Sequence, residues 1–127
     1  MEKHFATYNQ ALALKDLGFD EDCLGRWLAI TEWEKPTGEI KLQLGVKVED
    51  YDKNQCLAPL KSQVFEWFRE KYNLVFNFIS YNIVKPAEYH WSITWNDEAK
   101  ASGIVKTYEE AELACIDKLI EIVKGQR

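Results

Sequence analysis

Between Ala58 and Val123 the apolar residues change period twice, and few folds accommodate that order. Leu60, Val64, Phe68 and Tyr72 recur at helical spacing with Phe65 beside them, and Pro59 stands at the first helical position that proline prefers. Leu74 to Ile83 then reads as a strand. Its alternation slips near Phe78-Ile79, which predicts a bulge or burial on both faces. After the turn Lys85-Pro86-Ala87, the residues Tyr89, Trp91, Ile93 and Trp95 alternate with His90, Ser92, Thr94 and Asn96. Asn96-Asp97-Glu98 turns the chain again, into a short strand at 101–106. Helical spacing then returns. Thr107 is the expected N-cap, with Glu110 placed to return a bond to the Thr107 amide. Leu113, Ile116, Ile120 and Val123 form one apolar row of this last helix, Ala111, Cys115, Leu119 and Ile122 a second, and Gly125 ends it. A helix so apolar packs across a sheet.

The preceding residues add a helix and a hairpin. Phe5, Tyr8, Ala11, Leu12, Leu14 and Leu17 predict a helix over 5–17, closed by Gly18. Residues 26–33 are rich in β-formers. Glu34-Lys35-Pro36-Thr37-Gly38 is turn chemistry, and Ile40, Leu42, Leu44, Val46 and Val48 then alternate with polar residues. The resulting order is α-β-β-α-β-β-β-α. It predicts an α+β fold in one domain, residues 1–127, with an antiparallel sheet of about five strands and helices mainly on one face. In this reading 58–123 is the αβββα core, and 1–57 is an N-terminal extension of helix and hairpin that continues the sheet.

Composition narrows the class. With 127 residues and 46% hydrophobic content, the chain has the size and the apolar material for a packed core. No apolar run approaches the roughly 20 residues that span a bilayer, and Met1-Glu2-Lys3-His4-Phe5 does not open a signal peptide. Cys23, Cys56 and Cys115 are odd in number and far apart, so free thiols in the cytoplasm are expected. A net charge of −5 weighs against nucleic acid.

Chemistry-bearing patterns are thin. Asp50, Asp52 and Asn54 sit at the first three spacings of a calcium loop. Gln55 stands where glycine is obligatory and Lys61 where the bidentate acid belongs, so no metal is expected. His4 and His90 are the only histidines. His4 lies near the terminus, and His90 sits among the polar alternates of its strand. Glu32 and Glu34 flank Trp33 as exposed acids of a hairpin tip. No phosphate loop, GxSxG or HExxH occurs. Neither an enzyme nor a cofactor site is expected.

Five tryptophans are many for a chain of this size. Trp27 and Trp33 share a parity opposite to Leu28 and Ile30, so one set points away from the core or is covered by another chain. Trp67 falls off the stripe of its helix. Trp27, Trp33 and Trp67 are therefore the candidate interface residues, because tryptophan supplies large contact area at low entropy cost.

Two resemblances follow. Leu17-Gly18-Phe19-Asp20-Glu21, the run from Ala58 to Val64 with Trp67-Phe68-Arg69-Glu70-Lys71, and Tyr108-Glu109-Glu110-Ala111-Glu112 resemble segments of short uncharacterised bacterial and prophage proteins. That likeness implies a cytosolic setting and a possible mobile-element origin, but no activity. Over 58–123 the order of elements resembles a double-stranded-RNA-binding domain. That family grips phosphate with a lysine-rich start of its last helix, and enters the minor groove through its first helix and first β-turn. Here only Lys106 and Ala111 agree, and Glu109, Glu110 and Glu112 would meet the phosphates. Lys85, Pro86 and His90 resemble the family's turn without its glycine. The chain is thus read as a small accessory or protein-interaction module, with itself (as a homodimer) or another protein as partner. The alternative is a degenerate RNA-binding-like domain with weak or no RNA binding.

Overall fold

A computed structural model describes residues 2–33, 35–44, 55–81 and 88–126. The fold is α+β. It forms two compact units, Met1–Leu60 and Lys61–Arg127. The single sheet of about five strands expected from the sequence is instead two antiparallel sheets of three strands, one in each unit.

In the first unit a 3₁₀ turn, Glu2–His4, precedes helix α1, Tyr8–Asp16. Thr7 caps α1. Its hydroxyl accepts from the Gln10 amide at 3.1 Å, and the Gln10 side chain accepts from the Thr7 amide at 3.0 Å. The helix expected from Phe5 therefore starts three residues later. Phe5 instead makes a bridge to Leu60, and Leu12 is exposed. Gly18, at φ 97°, closes the helix. The Phe19 amide donates to the Leu14 carbonyl and the Gly18 amide to Lys15, the Schellman arrangement that needs a residue in the left-handed region.

Strands β1 (Gly25–Glu32), β2 (Lys35–Leu44) and β3 (Gln55–Ala58) follow in the spatial order β2-β1-β3. β3 is the strand that the sequence concealed, since four residues carry no alternation. It occupies the run expected to lead into the second helix. Pro59 is buried just after it and is not helical. The turn expected over 34–38 is also displaced. Pairing runs on through Thr31↔Pro36 and Glu32↔Lys35, and Gly38 lies in a bulge opposite Ile30, where the Thr37 hydroxyl donates to the Ile30 carbonyl at 2.9 Å. Val46, Val48, Glu34 and the calcium-like loop 49–54 lie outside the described residues. On the helix-facing side, buried Trp27, Cys56, Ala58, Ala11 and Phe5 form the core, with Tyr8, Ile40, Leu42 and Leu60 partly buried around them.

The second unit runs α2 (Lys61–Tyr72), β4 (Leu74–Tyr81), β5 (Glu88–Trp95), β6 (Glu98–Val105), α3 (Tyr108–Gly125). The strands make a meander, β4-β5-β6. β4 pairs with β5 in unbroken register from Leu74↔Trp95 to Tyr81↔Glu88, so of the two alternatives expected at Phe78-Ile79 the bulge is absent from this pairing. The irregularity falls between Ile93 and Thr94, in the β5–β6 pairing. Asn96 and Asp97 both have positive φ, 51° and 66°, as a two-residue hairpin turn of primed type requires. Turn 85–87 and Ile83 lie outside the described residues.

Both helices of this unit pack on one face of the meander. Register puts Leu74, Phe76 and Phe78 on the same side as Trp91, Ile93 and Trp95. Phe65 of α2 stacks on Phe76 and Tyr108 of α3 meets Phe78 edge-on, both at 4.4 Å between ring centres. Beneath them Val64, Phe68, Leu74, Ile93, Cys115, Ile116, Leu119 and Val123 are buried. Thr107 caps α3 as expected, accepting from the Glu110 amide at 3.1 Å. The Glu110 carboxylate accepts from the Lys106 amide at 3.3 Å, one residue before the expected partner.

Candidate functional site

The three tryptophans singled out from sequence are not brought together. Trp27, in the central strand β1, is buried against its cross-strand neighbours Leu42 and Cys56, and its indole N–H donates to the Ala6 carbonyl at 3.1 Å. Trp67 is buried too, although it falls off the apolar stripe of its helix. The buried face of α2 is wider than the Val64–Phe68 stripe and takes in Lys61 and Trp67. Tyr72 lies edge-on to the Trp67 ring at 5.5 Å, and the Lys71 ammonium sits 5.1 Å from its centre.

Trp33 is the exception. It occupies the β1–β2 turn, is 90% exposed and has φ 53°. A bulky residue in the left-handed region is uncommon and carries a conformational cost. Strand parity failed to place it because β1 ends at Glu32, so Trp33 belongs to the turn and its left-handed backbone, not the alternation from Trp27, sets its direction. Leu28 and Ile30 are half-buried, so they are not the fully outward set that parity allowed. Glu32, Lys35 and Thr37 surround the tip.

In the second unit, the sheet face away from the helices is polar. Around His90, Ser92, Ser102 and Ile104 lies a shallow depression of about 480 Å³. His90 Nε2 is 3.5 Å from the Glu88 carboxylate, so the imidazole sits on the wet face as its place among the polar alternates predicts.

At the start of α3 the acids are not equivalent. Glu109 and Glu110 are exposed, but Glu112 is only 16% exposed and lies 3.5 Å from the ammonium of buried Lys61. Two glutamates, not three, therefore face outward there. Tyr108 is titrated upward by burial and then by the carboxylates of Glu112 and Glu109.

The thiols are quiet. Burial pushes Cys23 up to about 12, with Glu21 and Asp22 adding to it, and pushes Cys56 up to about 11. Burial raises Cys115 further. A thiol is a nucleophile only as thiolate, which these environments disfavour at neutral pH. Among the described residues no group of three His, Cys, Asp or Glu could hold a metal ion, and no helix is long and apolar enough to cross a membrane. Comparison with family models, curated proteins and solved structures finds no match to the chain.

Proposed function

We propose that this chain is a small accessory protein of the bacterial cytosol that works by binding another protein, with Trp33 as the anchor. The observation that carries this reading is the 90% exposure of an indole held at positive φ on a hairpin tip. Water and backbone geometry both disfavour that placement, and a partner pocket that takes the ring would offset both. Buried tryptophans are the commonest anchors of protein interfaces, each worth about 2 kcal/mol or more. The likeness of residues 17–21, 58–71 and 108–112 to short bacterial and prophage proteins supports the setting, including a mobile-element origin.

The test is capture from a bacterial extract with the native chain and with Trp33→Lys side by side, followed by reconstitution of the purified pair. A protein held by the native chain and released by Trp33→Lys, with the thermal melt unchanged, supports the reading. Equal retention by both chains overturns it.

A second reading has one favouring observation. The order α2-β4-β5-β6-α3, with both helices on one face, suits a degenerate double-stranded-RNA-binding-like unit. Exposed Glu109 and Glu110 oppose phosphate at the start of α3. Tight binding of duplex RNA that collapses with added salt would establish this reading over the first.

A further inference from the structure

The four sheet edges are not alike. An open edge pairs with any extended chain, so proteins blunt edges with brevity, charge, proline or bulges. β3 is four residues long. β2 carries Lys35, Pro36, Lys41 and the bulge at Gly38. β6 carries Glu98, Lys100 and Gly103. β4 is Leu-Val-Phe-Asn-Phe-Ile-Ser-Tyr, eight residues with no charge, no proline and no glycine, and its only strand partner among the described residues is β5.

Beside that edge runs a ladder of rings that the unit does not finish covering. Phe65, Phe76 and Phe78 follow one another at 4.4 and 6.0 Å, and Phe78 continues to Tyr89 at 5.6 Å and Tyr108 at 4.4 Å. Leu74, Trp91 and Ile93 on the same face are buried, but Phe65, Phe76, Phe78 and Tyr89 are half-buried and Tyr108 is 44% exposed. A strand edge with no second strand partner among the described residues and accessible aromatic surface thus coincide on β4.

We infer that β4 is a self-pairing edge, and that two copies of this chain join antiparallel along it about a two-fold axis to make one six-stranded sheet. Opposed residues of an antiparallel pair share a face, so a register centred on Asn77 sets Phe76 of one protomer opposite the partner's Phe78. The two ladders then cover each other. Charge selects a second copy as occupant. A chain of net charge −5 repels itself over most of its surface, and the charges of β2 and β6 restrict the registers in which either could meet its own copy. β4 meets itself with none. The same patch on both subunits closes the assembly at two. This surface is independent of Trp33.

Sedimentation equilibrium on the full chain tests the inference. A dimer is expected, unaffected by Trp33→Lys. Asn77 is exposed on the face away from the helices, so Asn77→Lys leaves the core untouched and opposes two ammonium groups across the axis. It should raise the dissociation constant about tenfold or more with an unchanged thermal melt. Ser102→Lys, the same change on β6, should leave the dimer intact. In the native chain, amide exchange along β4 should slow as concentration rises. A native chain that is monomeric at about 100 μM, or a dimer that survives Asn77→Lys or is lost equally with Ser102→Lys, overturns it.

Discussion

Each unit buries a tryptophan from the central strand of its sheet, and the two units house it differently. In the first, Trp27 of β1 lies between Leu42 and Cys56 on the neighbouring strands, and its N–H reaches the Ala6 carbonyl. In the second, Trp91 of β5 lies between Phe78 and Gly103, and its buried N–H has no hydrogen-bond partner among the described residues. Room for the Trp91 ring comes from a missing side chain. A Cβ at Gly103 would stand 2.5 Å from the indole nitrogen and 2.6 Å from the adjoining ring carbon. An indole in a core needs both volume and an acceptor. The first unit supplies both, the second only volume, and an orphaned donor costs about 1–3 kcal/mol. That expense is tolerable because the ring still buries a large apolar area.

The second unit does pair a buried polar group where a full charge is at stake, and the largest expected effect lies there. Lys61 is 4% exposed and faces Glu112 from α3. Glu112→Ala would leave an uncompensated ammonium in the core, a loss of about 3–5 kcal/mol. The double change Lys61→Met with Glu112→Leu should recover most of it, because the charge goes with its partner. A thermal melt of the three chains checks this. If Glu112→Ala melts like the native protein, Lys61 reaches water and the unit tolerates orphans of every kind.

The elements legible in the sequence are those whose signals are local. Thr107 and the apolar rows of α3 mark a helix without reference to the rest of the chain. So do the alternation from Tyr89 to Trp95 and the Asn96-Asp97 turn. The box Thr7-x-x-Gln10 was equally local, but the spacing of Phe5 with Tyr8 and Leu12 pointed to an earlier start. β3 was illegible, because Gln-Cys-Leu-Ala acquires strand character only by lying beside β1. Counting five strands rather than six follows from that miss, and the division into two sheets follows from the first hairpin pairing with β3 rather than with the later meander. The pairing of Lys61 with Glu112 joins residues 51 apart, a distance at which no spacing rule operates. Of the candidate site, Trp33 was visible as an aromatic next to turn residues. Its separation from Trp27 depended on where β1 ends and the turn begins, and the bare edge of β4 is a property of strand order, which no single segment carries.

Gly103→Ala probes the way room is made for Trp91. The added methyl meets three atoms of a rigid ring at 2.5–2.7 Å, and Trp91 is only 8% exposed, so the ring cannot swing aside. The expected loss is about 1–3 kcal/mol, the usual range for overpacking. Pairing Gly103→Ala with Trp91→Phe should recover part of it, since the smaller ring withdraws the clashing atoms. Chemical denaturation measures both. A Gly103→Ala chain as stable as the native one would mean that the strand backbone yields, and that the glycine is not what admits the indole.

The smallest effect is the most discriminating. Trp27→Phe removes a donor and leaves the buried Ala6 carbonyl without it, and it opens a void among Leu42, Cys56 and Ala58. The sum should be about 2–3 kcal/mol. Trp91→Phe opens a comparable void, yet it also removes an N–H that has nothing to bond. The two terms oppose, so the net change should fall within about 1 kcal/mol of zero. The substitutions are chemically identical and both strands are central, so the difference isolates the hydrogen bond. Urea unfolding of the two variants, followed by circular dichroism, gives it directly. Equal losses would show that the Trp91 N–H is satisfied in solution. A gain in stability from Trp91→Phe would show that the orphaned donor outweighs the packing of the larger ring, with the indole then retained for something other than the stability of this unit.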